Sequence, residues 1–314
     1  MSLTFTFPGQ GSQAVGMGAE LAQTFGAARE VFQEVDEALS QKLSKLMLAG
    51  PIEDLTLTEN AQPALMAVSL AAARVLEREF GIDVTRAAFV AGHSLGEYSA
   101  LAAAEAFGLG ETARLLKLRG QAMQRAVPVG QGAMASLIGP KADVALAEEA
   151  AEAGSSLGVC VVANDNNAGN VVISGDKAAV DKAIEAAKAL GARAIPLNVS
   201  APFHCPLMQP AADEMAEALA RADIAAPRTP VVANVMARPT LDPDAIRRLL
   251  VEQVTGRVRW RESIEWLAGE GGVTRFAELG AGKVLTGIAK RVAPDAEAVA
   301  LNTPADLEAF AASL

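Results

Sequence analysis

The pentapeptide GHSLG at residues 92–96 constrains this chain more than any other segment, because of the sequence on either side of it. The preceding run, residues 87–91, is strand-like, and residues 97–106 are helix-like. A G-x-S-x-G turn between a strand and a helix holds its serine in a sharp, strained bend where the hydroxyl is exposed. The pattern therefore predicts that Ser94 is a nucleophile. The alternative is a glycine-rich packing turn.

Composition sets limits on the protein class. The chain has 314 residues, of which 51% are hydrophobic and 20% charged, so it can bury a substantial core. About 150 residues per domain predicts two units, or one large domain carrying an insertion. Lys and Arg number 27 against 37 Asp and Glu, and the net charge of −10 argues against a nucleic-acid partner.

The N-terminal segment lacks a basic region, and Pro8 interrupts it too early for a secretory signal. The most apolar helix candidate, residues 64–73, is far shorter than the roughly 20 residues that span a bilayer. We therefore expect a cytoplasmic protein with no membrane segment. Two cysteines and two histidines cannot form a zinc cluster of ordinary spacing, so no metal and no disulfide framework are expected; Cys160 is predicted to lie in the core.

Strand and helix patterns alternate in residues 1–126 and again in 199–314, which predicts a parallel sheet with helices on both faces. Residues 127–198 instead follow the order strand, helix, strand, strand, helix, strand, which is typical of a ferredoxin-like unit. We predict an α/β fold in which an α/β-hydrolase-like, parallel-sheet large domain carries this ferredoxin-like small domain as an insertion. The predicted strands are 3–7, 87–91, 231–235, 275–279 and 298–301 in the large domain, and 133–138, 159–163, 171–174 and 192–197 in the small one.

A dinucleotide site is the alternative use of residues 9–14, which fit the loose G-x-G-x-x-A fingerprint after a strand. That fold needs an acidic residue at the end of a second strand about 20 positions later. The acidic residues in that region lie in helix-periodic sequence, so we predict no nucleotide cofactor.

A serine nucleophile needs a base, and the chain has two histidines, His93 and His204. Consecutive side chains diverge on a tight elbow, so we expect His93 to be buried beside the strand. His204 lies in a loop before a helix, where catalytic groups usually sit. We predict that His204 is the base, with a pKa near neutrality; a structural loop histidine is the alternative. Cys205 could suggest a thiol enzyme, but its adjacency to His204 works against that reading.

Several motifs in order carry a family resemblance. They are FPGQGSQ at 7–13, GHSLGEYSA at 92–100, the pairs at 119–120, 123–124 and 203–204, and ELG with GKVL within 278–285. Together they resemble the malonyl-CoA:acyl carrier protein transacylases of type II fatty-acid synthesis over nearly the whole chain. The resemblance implies a ping-pong reaction in which Ser94 takes malonyl from malonyl-CoA and passes it to the phosphopantetheine thiol of acyl carrier protein, with His204 as general base and acid. It implies malonyl-CoA as a substrate and no cofactor.

The resemblance also implies roles for residues beside the dyad. The backbone N–H groups of Gln10 and Leu95 would hold the oxyanion. Arg119 would bind the carboxylate of malonyl, since a guanidinium binds carboxylates bidentately; its alternative is an exposed arginine on a helix. Gln253 would orient His204 through its backbone carbonyl.

Three further residues are implied as parts of the substrate pocket. Asn234 and Gln62 would line it, with loop hydrogen bonding as the alternative. Phe203, before the base, is similar to acyltransferase domains that select malonyl. A ring beside the acyl α-carbon leaves no room for a methyl branch. Packing beneath the loop is the alternative for Phe203.

Acyl carrier protein is acidic in this family, so we expect docking on local cations at the cleft mouth, namely Lys283, Lys290 and Arg291; a solvated surface cluster is the alternative. Two departures from the family pattern are Asn170, where glutamine is frequent, and residues 255–258, where Asn-Pro-Val is frequent. A serine esterase or thioesterase of α/β-hydrolase type would use the same elbow, and a non-catalytic interaction module would keep the fold without turnover.

Overall fold

The computed structural model describes residues 2–314. Within them the strands are β1 (Leu3–Phe7), β2 (Phe89–Gly92), β3 (Gly132–Ile138), β4 (Cys160–Asn167), β5 (Asn170–Asp176), β6 (Arg193–Pro196), β7 (Val231–Ala233), β8 (Arg238–Thr240), β9 (Arg275–Leu279) and β10 (Glu297–Leu301). The helices are α1 (Ala19–Thr24), α2 (Gly26–Leu39), α3 (Leu43–Ala49), α4 (Ile52–Thr56), α5 (Thr58–Phe80), α6 (Leu95–Ala103), α7 (Leu109–Ala126), α8 (Val144–Glu152), α9 (Lys177–Ala189), α10 (Gln209–Arg221), α11 (Pro243–Thr255), α12 (Trp260–Ala268), α13 (Val284–Val292) and α14 (Pro304–Ala312).

The larger sheet has the strand order β10-β9-β1-β2-β7-β8 across residues 2–314. Its first five strands are parallel, and β8 runs antiparallel to β7. Every residue of β1 is buried, as expected of a central parallel strand covered by helices on both faces. Phe7 pairs with Gly92, so the loops that follow β1 and β2 leave the same edge of the sheet side by side.

The smaller sheet is antiparallel throughout, with the order β4-β5-β3-β6 among the described residues. Side chains alternate between its two faces. Ala135 and Leu137 pack in a core with α8 and α9, whereas Met134 and Ser136 line a cleft between the two sheets. The predicted mixed α/β architecture, with a parallel sheet and a separate antiparallel one, is confirmed.

The segment around Val258, between α11 and α12, forms hydrogen bonds with the edge strand β4. Val258 donates its N–H to the carbonyl of Ala163 at 2.8 Å and accepts the N–H of Asp165 at 2.9 Å. The Asp165 carboxylate, 1% exposed, pairs with Arg261 at 2.8 Å. These contacts fix one wall of the cleft against the other.

Several elements differ from the sequence prediction. Strand β4 extends four residues past the predicted end at 163, through an Asn-rich stretch that resembles a loop. Register shifts within β4 let this polar stretch remain paired with β5. Cys160 is half-buried rather than in the core, because it lies at the start of an edge strand. The short elements β8, α3 and α4 were not predicted, nor were α12, α13 and α14. None of the helices in residues 2–314 has the length and apolar character that crossing a membrane requires.

Candidate active site

The turn between β2 and α6 depends on its two glycines. A Cβ on Gly92 would lie 1.8 Å from the carbonyl oxygen of Gly96, and one on Gly96 would lie 2.2 Å from that of Phe7. No side chain fits at either position. Ser94 caps α6 with φ 53° and ψ −110°, a backbone conformation that non-glycine residues rarely adopt. The turn therefore presents the Ser94 hydroxyl above the sheet edge.

His204 faces this hydroxyl from the loop before α10. Its Nε2 lies 2.8 Å from the Ser94 Oγ, and its Nδ1 lies 2.9 Å from the backbone carbonyl oxygen of Gln253. Because a carbonyl oxygen can only accept, Nδ1 carries the hydrogen and Nε2 presents its lone pair to the hydroxyl. His204 also has a positive φ of 57°. Both members of the pair are thus held in strained backbone, as is common where a scaffold fixes reactive groups.

The environment of His204 favours the neutral imidazole. Burial, followed by the charge of Arg119, lowers the His204 pKa to about 3, and the hydrogen bond to Gln253 opposes this only in part. The expected pKa near neutrality is therefore wrong for the substrate-free site. The cause is that His204 is 4% exposed and lies near a buried cation. At neutral pH the Nε2 atom is available as a proton acceptor.

Arg119 points from α7 into the same site and is 2% exposed. Its Nη1 donates to Gln62 Oε1 at 2.8 Å; its Nη2 donates to Gln253 Oε1 at 2.8 Å and to Ser94 Oγ at 3.2 Å. Within residues 2–314 its Nε has no hydrogen-bond partner, and no carboxylate lies within 4.0 Å of the guanidinium. Burial lowers the pKa of Arg119 from its ordinary value. A buried guanidinium with an unpaired N–H beside the Ser94 hydroxyl is suited to binding an anionic group.

The amide side chains of Asn234 and Gln253 form hydrogen bonds with the backbone of the turn that carries Ser94. Asn234 accepts the Ser94 N–H at 2.7 Å and donates to the carbonyl of Gly92 at 2.7 Å. Gln253 donates through Nε2 to the carbonyl of Ser94 at 3.0 Å. Both amides are fully buried. Asn234 thus lies behind Ser94, not in the pocket wall, whereas Gln62 lines the cleft and supports Arg119.

Sequence reasoning missed Glu97, which lies one turn after the nucleophile. Its carboxylate is 3% exposed and accepts hydrogen bonds from Gln253 Nε2 at 2.8 Å and from the backbone N–H of Asn234 at 3.0 Å. Burial raises the pKa of Glu97 to about 7, against the lowering effect of these hydrogen bonds and of Arg119. The sequence offered one signal, because Glu97 is the single charged residue of α6. Its neighbours in this helix, residues 95–101, are all buried.

Two backbone donors face the cleft. Among the described residues, neither the N–H of Gln10 nor that of Leu95 has an acceptor. Both residues line the cavity that contains Ser94. The pairing of β1 with β2 brings their loops together, and the side chain of Gln10 is fixed by a hydrogen bond from the Thr58 hydroxyl at 2.9 Å.

The cleft between the sheets holds a cavity of about 360 Å³ that contains Ser94, His204 and Arg119. Phe203 is half-buried in its wall and packs against a small apolar cluster formed by Met134, Ala163 and Val172. His93 was predicted to be buried beside the strand, but it is half-buried and lines the cleft. Its position is held by two contacts: the ring packs on Trp260, and Nε2 lies 2.9 Å from Asn166 Oδ1 across the cleft.

A second cavity of about 350 Å³ adjoins the first and shares Gln10, His93 and Asn166 with it. Lys283 and Arg291 line this second cavity, while Lys290 lines a different one together with Lys283. All three cations are exposed. Residues 2–314 contain no group of three or more His, Cys, Asp or Glu side chains placed to hold a metal ion.

The arrangement is suited to acyl transfer. A hydroxyl is hydrogen-bonded to a neutral imidazole, two backbone N–H groups are available for a developing oxyanion, and a buried cation lies 3.2 Å from the nucleophile. An acyl group that ends in a carboxylate would be bound at both of its ends.

Comparison with known proteins agrees with this chemistry. The Acyl transferase domain family model matches residues 4–301. The malonyl CoA-acyl carrier protein transacylase of Escherichia coli (strain K12) is 46% identical over 306 residues, covering 97% of each chain. The acyl-carrier-protein-S-malonyltransferase of Bartonella henselae has a TM-score of 0.96 and 54% identity, covering 100% of this chain and 99% of that one.

A third relative is PlMCAT, a malonyl-transacylase solved in complex with the type II PKS acyl-carrier protein AntF. It has a TM-score of 0.96 and 41% identity, covering 100% of both chains. These matches span the whole of the site and both sheets. The chain belongs to the acyl transferase domain family, within the malonyl CoA-acyl carrier protein transacylases.

Proposed function

We propose that this protein transfers malonyl from malonyl-CoA to the phosphopantetheine thiol of acyl carrier protein through a malonyl ester on Ser94. The observation that carries the proposal is that the Ser94 hydroxyl lies 2.8 Å from His204 Nε2 and 3.2 Å from Arg119 Nη2. A base and a buried cation therefore meet at one nucleophile, as malonyl transfer requires. The reaction serves fatty-acid biosynthesis, and it needs malonyl-CoA as a substrate but no cofactor.

In the first half-reaction, His204 Nε2 accepts the hydroxyl proton as Ser94 Oγ attacks the thioester carbonyl of malonyl-CoA. The N–H groups of Gln10 and Leu95 stabilise the oxyanion, and each donor of this kind typically contributes about 3 kcal/mol to lowering the barrier. Collapse of the intermediate breaks the carbon–sulfur bond. The thiolate takes the proton from His204 and leaves as CoA.

The second half-reaction runs the same steps with the carrier thiol. His204 accepts the thiol proton, the sulfur attacks the ester carbonyl, and Ser94 Oγ leaves and regains a proton from His204. The carbonyl of Gln253 keeps Nδ1–H in place through both halves and stabilises each imidazolium. The malonyl carboxylate also offsets the charge of Arg119, which otherwise lowers the His204 pKa.

Substrate selection is assigned to the cleft walls. Arg119 binds the malonyl carboxylate, and Gln62 holds the guanidinium from the other side. Phe203 restricts the space beside the acyl α-carbon. We also infer that acyl carrier protein docks at Lys283 and Arg291, supported by the cavity that joins them to the catalytic cleft, with Lys290 in a lesser role.

We further infer that residues 1–126 and 199–314 form an α/β-hydrolase-like large domain and that 127–198 form an inserted ferredoxin-like small domain. The support for the small domain is its element order, β3-α8-β4-β5-α9-β6, combined with the antiparallel sheet order β4-β5-β3-β6. The support for the large domain is a parallel sheet with a serine elbow after β2. A cytoplasmic location stays a prediction.

Intact-mass spectrometry after mixing the protein with malonyl-CoA tests the assignment of the nucleophile. We expect a malonyl adduct on the parent protein and none on Ser94→Ala, whereas Ser12→Ala, in the neighbouring loop, keeps the adduct. His204→Ala should form it about 10²- to 10⁴-fold more slowly, the usual contribution of a general base. An adduct on Ser94→Ala would exclude the proposed nucleophile. If free malonate appeared faster than malonyl carrier protein, the chain would be a thioesterase.

A further inference from the structure

Glu97 is a buried carboxylate that the catalytic steps above do not use. Both of its recorded hydrogen bonds go to Oε2, from Gln253 Nε2 and from the Asn234 N–H, so within the described chain Oε1 has no hydrogen-bonding partner. Gln253 links Glu97 to Arg119, since its Nε2 donates to Glu97 and its Oε1 accepts from Arg119 at 2.8 Å. Glu97 and Arg119 are therefore opposite charges on the two ends of one buried amide.

The charges around Glu97 are few. The ionisable groups that interact with it are Arg119 from α7 and Tyr98 from its own helix, and His204 lies beyond Gln253, to whose backbone carbonyl it is bonded. Burial raises the pKa of Tyr98 and lowers that of His204, so both are uncharged at neutral pH. When Glu97 is ionised, the substrate-free site accordingly contains one buried cation and one buried anion.

We propose that Glu97 is the counter-ion of Arg119 in the substrate-free site, and that binding of an acyl carboxylate to Arg119 drives a proton from solvent onto Glu97. The proposal rests on the proposed function, because it requires Arg119 to hold the malonyl carboxylate. A second carboxylate on the same cation would leave the buried site with a net negative charge. Two carboxylates that share one site do not both stay ionised at low cost, so the affinity of one for protons rises.

The proton has a place to bind. It adds to Glu97 Oε1, while Oε2 continues to accept from Gln253 and Asn234, so the elbow and the support of His204 keep their geometry. For a rise of one pKa unit, about half a proton is taken up from solvent for each malonyl-CoA bound at a pH midway between the two pKa values. CoA lacks the carboxylate and therefore does not change the protonation of Glu97.

Isothermal titration calorimetry on the Ser94→Ala protein tests this without turnover. Binding of malonyl-CoA is measured in buffers of different ionisation enthalpy, and CoA, which carries the same phosphates, is the matched ligand. We expect proton uptake with malonyl-CoA in excess of that with CoA. From pH 6.5 to pH 8.5, the Kd for malonyl-CoA should rise about sixfold more than the Kd for CoA, as expected when binding raises a pKa of about 7 by one unit.

The direction of this change in Kd follows from the ionisation of Glu97. At high pH it is anionic and repels the second carboxylate, so malonyl-CoA binds more weakly; at low pH it is already neutral. Glu97→Gln in the Ser94→Ala background keeps the size and an acceptor oxygen but cannot ionise. We expect this variant to lose both the excess proton uptake and the excess pH dependence, and to bind malonyl-CoA more tightly than its parent at pH 8.5.

The outcomes separate the two proposals. Equal proton uptake with malonyl-CoA and CoA would overturn the inference on the parent alone, even if the Glu97→Gln variant failed to fold. Persistent excess uptake in a folded Glu97→Gln variant would overturn it by assigning the proton elsewhere, with His204 as the obvious site. Failure of the proposed role of Arg119 is distinguished by Arg119→Ala in the same background, which would then bind malonyl-CoA no more weakly relative to CoA.

Discussion

The interior and the rim of the cleft both carry positive charge, but they hold it in opposite ways. In the interior, Arg119 is 2% exposed and its terminal nitrogens are fixed by two glutamine oxygens and the Ser94 hydroxyl. At the rim, Lys283, Lys290 and Arg291 are exposed, and none of them forms an ion pair with the rest of the described chain. The buried Arg119 is suited to binding a single carboxylate, whereas the exposed cations at the rim can attract an acidic surface.

This difference determines how strongly each charge should act. A charge pair in a desolvated site is weakly screened, and leaving one partner unpaired there is costly. Exposed charges interact through water, and salt screens them over a Debye length of about 10 Å at 0.1 M. Substitutions in the interior should therefore cause large, salt-independent losses, and substitutions at the rim should cause small, salt-dependent ones.

Among the substitutions that compare the interior with the rim, Arg119→Ala should have the largest effect. Its loss leaves the malonyl carboxylate unpaired in a buried site, which costs about 2 to 5 kcal/mol, or roughly 30-fold or more in kcat/KM for malonyl-CoA. An uncharged acetyl group makes no use of the guanidinium, so acetyl transfer should fall far less. The measurement is transfer of both acyl groups to carrier protein at two salt concentrations.

Arg125→Ala is the matched control for this prediction. Arg125 lies on the same helix, α7, but it is exposed and pairs with Glu214 at the surface. We expect it to leave both acyl transfers unchanged. Equal losses of malonyl and acetyl transfer in a folded Arg119→Ala variant would show that Arg119 does not read the carboxylate.

The sequence predicted the interior well where local rules decide the structure. The elbow follows from two glycines whose Cβ atoms would collide with neighbouring backbone, so a short motif specifies it. The pairing of His204 with Ser94 could be anticipated because the chain has two histidines and one of them adjoins Ser94. Strands β1 and β9 have their predicted bounds, and every residue of both is buried.

The rest of the site depends on contacts between residues far apart in the chain. Glu97 meets Gln253 across 156 positions, and His93 meets Asn166 across 73, and no local pattern specifies either pair. The low pKa of His204 likewise arises from burial and from Arg119, neither of which a loop sequence shows. The Asn-rich end of β4 was missed because its pairing depends on bulges and on the segment around Val258.

An intermediate effect is expected from Phe203→Ser, which removes bulk rather than charge. Phe203 lines the catalytic cavity, and a smaller side chain would open space for a methyl branch on the acyl α-carbon. We expect the ratio of methylmalonyl to malonyl transfer to rise by about tenfold, within the range that a single methyl-sized contact decides. The measurement is competition between the two CoA esters.

Phe203→Leu is the control for volume, since it keeps an apolar side chain of intermediate size and should change the ratio less. Phe203 also packs on the core, so each variant needs a thermal melt to show that it is folded. An unchanged ratio in folded Phe203→Ser would exclude a steric role and leave Phe203 as a packing residue.

The smallest effect, and the one that depends on salt, is expected at the rim. Lys283→Glu combined with Arg291→Glu reverses both cations that line the cavity next to the catalytic cleft. We expect the KM for carrier protein to rise about threefold to tenfold at low salt and the KM for malonyl-CoA to stay nearly constant, with the effect shrinking as salt rises. Lys290→Glu, on the same helix but lining a different cavity, should raise the KM for carrier protein by less.

Lys182→Glu combined with Lys188→Glu is the control for net charge. These two residues lie on α9 behind the small sheet, so the double variant changes the net charge equally and should leave the KM for carrier protein unchanged. If that distant pair raised the KM for carrier protein as much as the rim pair, net charge rather than a docking surface would govern the encounter of the two proteins. The rim cations would then differ from Arg119 only in their exposure, and not in binding a particular partner.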